Sequence, residues 1–188
     1  MSPAGRLCAP ALAACLLLPV SLTAQAATVI LVRHAEKAAP SGDPPLSAPG
    51  QARAAALGAA LVDFPVTTII TSEYRRTRET AAPLATARGL VPVVVAARSG
   101  ADSNAAAVAR ALGAVPAGTA ALVVGHSNTL GPIIAALGGP VLPDPCDGEY
   151  ATLFVLELPP DGAPRLLRAR YGAPDPPGAG DCHPAPPS

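Results

Sequence analysis

Thr28-Val29-Ile30-Leu31-Val32-Arg33-His34-Ala35-Glu36-Lys37 is the stretch on which the reading of the whole chain turns. Its first five residues are apolar or β-branched without a polar break, the pattern of a strand buried on both faces of a parallel sheet. The run stops at a cation and an imidazole placed side by side. In open α/β sheets ligands bind at the carboxyl ends of the strands, so Arg33, His34 and Glu36 emerge where chemistry is usually done.

A second run, Ala120 to Val124, ends in the same way, with Gly125-His126-Ser127-Asn128. Two strands are therefore expected to deliver a histidine each to one rim. Between them, the apolar run Val66 to Ile70 leads into Thr71-Ser72-Glu73-Tyr74-Arg75-Arg76-Thr77-Arg78-Glu79-Thr80-Ala81. That segment reads as the start of a helix carrying guanidinium groups to the same edge. Taken in order, R-H-x-E, S-x-x-x-R-x-x-x-T-A and G-H-S-N resemble the histidine phosphatase superfamily, with its phosphoglycerate-mutase-like fold, over about Thr28 to Tyr171. Each motif is weak alone; three in order, each after a strand, are specific.

Working outward, the 188 residues are half hydrophobic, with 3% aromatic residues and 13 acidic against 13 basic side chains. The length fits one domain. Zero formal charge provides no field for nucleic acid or an anionic membrane, so an anion has to be caught by local arginines. Residues 1–26 read as a signal peptide: Arg6, an apolar stretch around Leu16-Leu17-Leu18 and Ala24-Gln25-Ala26 as the cleavage site. The mature chain then starts at Ala27, periplasmic or secreted, with no stable membrane span, since the apolar stretch is short and broken by Pro10 and Pro19. The alternative is a lipoprotein processed at Cys15. Export leaves Cys146 and Cys182 as an even pair in a compartment that permits disulfides; the alternative is two free thiols.

Strand and helix alternate along residues 27–172, predicting a three-layer α/β/α sandwich on a mostly parallel sheet. Ser47 caps a helix with Pro49 in its first turn and Gln51 to Val62 as its body. The arginine helix runs from about Glu73 to Ala87, broken or kinked at Pro83. Val91 to Val95 is a strand, Ser103 to Leu112 and Asn128 to Leu137 are helices, and Tyr150 to Leu158 and Arg165 to Arg170 are strands joined by a Pro-Pro-Asp-Gly turn. The Pro/Gly-rich tail, 173–188, is expected to be disordered except where Cys182 pins it.

The resemblance implies the roles. His34 is the nucleophile, attacking phosphorus as a neutral imidazole to form a phosphohistidine. Arg33, Arg76 and a protonated His126 surround the transferring phosphoryl group, whose charge spreads over its equatorial oxygens. Ser127 and Asn128 open a helix and either touch phosphate or simply cap it. Arg75 and Arg78 lie about 100° and 200° around the helix from Arg76 and are read as solvated surface. Glu36 orients the loop or pairs with a cation. The family's general acid is a carboxylate in the segment before the second histidine; in Ala96 to Asn104 the candidate is Asp102, with a cap or turn role as the alternative.

The expected activity is thus a phosphatase acting on a small phosphorylated substrate, with no cofactor; the chain lacks the long insertions of mutases. Two other readings compete: a phosphate-binding or scaffold protein that keeps the pocket, and a metal site built from His34, Glu36 and His126. No heptad or aromatic stripe marks an oligomer interface.

Overall fold

The structure, a computed structural model, describes residues 26–113, 115–180 and 182. The expected signal peptide, with the Cys15 alternative, lies outside them apart from Ala26. Six strands and four helices follow in the order β1 (Ala27–Arg33), α1 (Ala48–Ala60), β2 (Val66–Thr71), α2 (Arg75–Arg88), β3 (Val93–Val94), α3 (Ala101–Leu112), β4 (Ala120–Gly125), α4 (Ser127–Ala136), β5 (Thr152–Leu158) and β6 (Arg165–Arg170).

They form one sheet in the order β3-β2-β4-β1-β5-β6. Strands β1 to β4 are mutually parallel; β5 runs antiparallel to both β1 and β6. The sheet is therefore mostly parallel, with an antiparallel hairpin added at one side.

Because side chains alternate along a strand, β1 sends Ile30 and Val32 to one face and Val29 and Leu31 to the other, and all four are fully buried. The first pair packs against Leu57 of α1 and Leu84 of α2. The second packs against Val108 of α3 and Ile133 of α4. That division makes the three layers. Burying a Leu or Ile side chain stabilises by about 1.5–3 kcal/mol, so the central strands, covered on both sides, anchor the rim at their carboxyl ends.

Several local expectations are corrected. Strand β3 shrinks to two residues, half exposed and paired on one side only, at the edge of the sheet. Helix α2 passes through Pro83 as one element. Pro83 faces Gly58 of α1, where a Cβ would stand 3.1 Å from the proline ring, so close helix packing holds the segment in place. Helix α3 begins at Ala101, two residues earlier than expected, because Gly100 adopts φ +94° and turns the chain there.

The tail also differs from expectation over residues 173–180. The Asp175 carboxylate accepts the backbone N–H groups of Tyr150 (2.8 Å) and Ala151 (2.9 Å). Arg53 donates to the carbonyls of Tyr171 and Ala173. Those bonds satisfy donors and acceptors that a loose tail would leave to water. Cys146 and Cys182 are joined by a disulfide with Cα atoms 5.7 Å apart, tying the tail to the loop before β5.

Candidate active site

Register alone brings the two histidines together. Strands β1 and β4 pair in parallel with Arg33 opposite Gly125, and the His34 N–H donates to the Gly125 carbonyl at 2.9 Å. Arg33 is the last residue of β1, one step inside the strand end expected for it. The next residue on each strand is histidine, and the ring centroids lie 5.3 Å apart.

His34 is buried, and its Nδ1 lies 2.8 Å from the Ala35 carbonyl oxygen. A carbonyl only accepts, so Nδ1 carries the proton and Nε2 keeps its lone pair. Burial, against the opposing pull of that hydrogen bond, lowers its pKa from 6.5 to about 3, and His126, Arg33 and Arg76 push the same way. The ring is a neutral base at pH 7. His126 Nε2 lies 2.9 Å from Ser72 Oγ, and burial followed by the charge of Arg76 lowers its pKa to about 4. Beside Arg76 the second imidazole is held neutral at pH 7.

The arginines supply the permanent charge. Arg33 is buried, and its Nη1 donates to the carbonyls of Cys146 (2.7 Å), Asp147 (3.0 Å) and Glu149 (3.2 Å) while the guanidinium stacks 4.3 Å from the Tyr150 ring centre. Arg76 stacks on Tyr74 at 4.0 Å and stands 3.7 Å from Asp43. The Nε–H of each is buried without a hydrogen-bond partner. Two orphaned cationic donors in one site are costly unless an anion comes to them. Arg75 pairs with Glu79 on the surface and Arg78 is exposed.

These groups line a polar cavity of about 310 Å³ together with Lys37, Ser127, Asn128, Thr129 and Asp147. Ser127 is the first residue of α4, so the positive end of that helix faces the same space. Thr129 Oγ1 accepts the His126 N–H at 2.9 Å, fixing the corner where strand becomes helix. A larger groove of about 660 Å³ beside α1 and α2 is lined by Leu46, Ala54, Ala82 and Pro83. It is apolar and neither histidine lines it, so the smaller cavity is where the chemistry belongs.

Two expectations about carboxylates change. Asp102 is exposed in the first turn of α3 and does not line the cavity, because α3 starts two residues early and carries it outward. Glu73, nearer the site, accepts the N–H groups of Ala97 (2.8 Å) and Arg98 (3.2 Å); these bonds outweigh partial burial and hold its pKa below the usual range. Glu36 pairs with Arg53, whose Nη2 lies 2.8 Å from Oε1, and so ties the loop after β1 to α1. His34, Glu36 and His126 thus do not form a ligand set, and among the described residues no group of three His, Cys, Asp or Glu side chains is placed to hold a metal ion.

The sequence reading missed Lys37, Tyr74, Tyr150 and Asp147 as neighbours of the site. Tyr74 lies two residues from Ser72 and Asp147 is adjacent to Cys146, so both stood beside residues already singled out; Tyr150 reaches Arg33 only through the fold.

Residues 29–98 match the histidine phosphatase superfamily (branch 1). Among solved structures, a mycobacterial hydrolase superposes with a TM-score of 0.62 at 18% identity, covering 79% of this chain and 100% of the other. A mycobacterial glucosyl-3-phosphoglycerate phosphatase gives 0.60 at 19% identity, over 80% and 100%. A protein assigned as the phosphohistidine phosphatase SixA of Nakamurella multipartitia gives 0.57 at 27% identity, over 80% and 99%. No curated protein matches the chain in sequence. Over residues 29–98 the chain is similar to the histidine phosphatase superfamily, and its fold is the phosphoglycerate-mutase-like fold of these solved structures.

Proposed function

We propose that the protein is a phosphatase that hydrolyses a small phosphomonoester through a phosphohistidine on His34. The observation that carries this reading is the pairing of a neutral imidazole, its Nδ1 anchored on Ala35, with two guanidiniums whose buried Nε–H groups lack partners. A phosphoryl group entering the cavity meets those donors and the amino end of α4, which stabilise charge on its equatorial oxygens. His34 Nε2 attacks phosphorus, the leaving oxygen departs, and water then cleaves the P–N bond, dividing one difficult step into two.

His126 completes the clamp. A phosphate dianion beside it favours the imidazolium, so the ring that is neutral next to Arg76 takes a proton as substrate binds. Ser72, held by Thr77 at 2.9 Å, keeps Nε2 of His126 in position for this.

The cavity is at the small end of ligand sites and polar, which suits a compact phosphorylated metabolite. Relatives of this fold act on glucosyl-3-phosphoglycerate and, by assignment, on phosphohistidine; both are phosphorylated. The charge-neutral chain favours no nucleic acid partner. Residues 1–26 read as an export signal, and we propose on that ground that the protein works in the periplasm or outside the cell. Amino-terminal sequencing that gives Ala27 supports this placement; an acylated Cys15 or an intact Met1 contradicts it.

The competing function is a pocket that binds phosphate without turnover, favoured by the outward position of Asp102. Purified protein and p-nitrophenyl phosphate separate the two: hydrolysis that disappears in His34→Ala supports the phosphatase, no hydrolysis in the wild type supports the alternative, and hydrolysis untouched by that change contradicts a phosphohistidine on His34.

A further inference from the structure

The displacement of Asp102 leaves the leaving group without the carboxylic acid expected to protonate it, and the carboxylates near the cavity narrow the choice. Glu36 is held by Arg53, Glu73 by the backbone of Ala97 and Arg98, and Asp43 by the Arg75 N–H at 2.9 Å. Asp147 alone among the described carboxylates lines the cavity that contains His34. Its side chain is fully exposed, and the ion pair it makes, with Arg33, is long at 3.7 Å. Its backbone, by contrast, is fixed: the Asp147 carbonyl accepts Arg33 Nη1 at 3.0 Å, and the preceding residue is anchored by the disulfide to Cys182. A held backbone with a free carboxyl at the mouth of the site is the geometry required of a group that meets a leaving oxygen and then a water.

We propose that Asp147 is the general acid and base of this site, supplied from the loop before β5 and not from the segment before α3. The assignment rests on the phosphatase reading above. In the first step the His34 Nε2 lone pair forms the P–N bond, the bond from phosphorus to the leaving oxygen breaks, and the Asp147 carboxyl proton passes to that oxygen, releasing an alcohol. In the second, water attacks phosphorus, its proton returns to the Asp147 carboxylate, the P–N bond breaks, and inorganic phosphate leaves with His34 neutral again.

The test compares wild type, Asp147→Asn, Asp102→Asn and His34→Ala, with the disulfide intact, on p-nitrophenyl phosphate and on a simple alkyl phosphate. An alkoxide needs the proton and a nitrophenolate scarcely does. Asp147→Asn is expected to lose on the order of 100-fold or more in kcat/KM on the alkyl ester, to stay within a few-fold on the aryl ester, and to keep its affinity for inorganic phosphate. Asp102→Asn is expected to match wild type on both. Equal effects of Asp147→Asn on the two esters, a selective loss in Asp102→Asn, or wild-type turnover confined to the aryl ester would overturn the assignment while leaving the phosphatase standing. Turnover independent of His34, or no turnover, would overturn both.

Discussion

Arg33 Nη1 lies 2.7 Å from the carbonyl oxygen of Cys146, a residue 113 positions later that is itself bonded through sulfur to Cys182. The disulfide therefore sits one backbone group from a guanidinium assigned to phosphate. Reducing it is expected to weaken inorganic phosphate binding and turnover as well as stability. The sequence separation is 36 residues, for which loop-closure entropy gives about 3–4 kcal/mol. Comparing urea midpoints and KM for p-nitrophenyl phosphate in wild type and a Cys146→Ser/Cys182→Ser variant checks this; unchanged KM would detach the disulfide from the site.

Arg53 and Glu36 form a second support. Arg53 is 4% exposed, and it also donates to the Tyr171 and Ala173 carbonyls. Arg53→Ala leaves a carboxylate and two carbonyls without that donor and is expected to cost about 3–5 kcal/mol, read as a fall in the urea midpoint. A loss below 1 kcal/mol would contradict the arrangement.

Gly50 tests how tightly α1 seats on the catalytic loop. A Cβ there would stand 2.2 Å from the Glu36 carbonyl oxygen, backbone against side chain, so the loop or helix has to move. Gly50→Ala is expected to destabilise by about 1–3 kcal/mol and to lower kcat/KM, since Glu36 is two residues from His34. Wild-type behaviour in both would mean that the loop tolerates displacement.

The two histidines set a pH dependence of stability. Their pKa values are lowered from 6.5 to about 3 for His34 and about 4 for His126, so the unfolded chain binds more protons below pH 6.5. Their contribution is complete above about pH 6.5 and is lost as pH falls toward those lowered values. Urea midpoints should drop between pH 7 and pH 4.5, with a smaller drop in His34→Gln and in His126→Gln. A slope unaltered by both substitutions would contradict the burial argument.

Much of the rim was legible because strands buried on both faces are long apolar runs, and each run named the residue that follows it. Arg76 was legible from its spacing to Ser72. Pairings across the fold were not: nothing in Glu36 or Arg53 alone announces their ion pair, and Asp43, Tyr74 and Tyr150 gain their roles only when loops converge on the arginines. Asp102 was misplaced because a glycine at φ +94° starts α3 before the serine that looked like its beginning. The lowered pKa of His126 was not legible either, since its burial and its approach to Arg76 arise only in the fold. The tail looked disordered from composition, yet Asp175 and the disulfide hold residues 173–180 against the domain.

Arg76→Ala is expected to remove a charge-stabilising donor and lower kcat by about 10²–10³-fold if it acts on the transition state as an oxyanion-hole donor does. Thermal unfolding should change little, because its side chain contacts the cavity and Tyr74 instead of the core. A change confined to KM would place Arg76 in ground-state binding alone.

The central claim is covalent chemistry at His34, and the most direct measurement is a rapid quench during turnover of a phosphoryl-labelled substrate, followed by peptide mapping. The expected result is a stoichiometric phosphoryl group on His34, stable in base and labile in acid, and absent from His34→Ala along with turnover. A wild-type enzyme that turns over with no label on His34, or with the label on another residue, would contradict it.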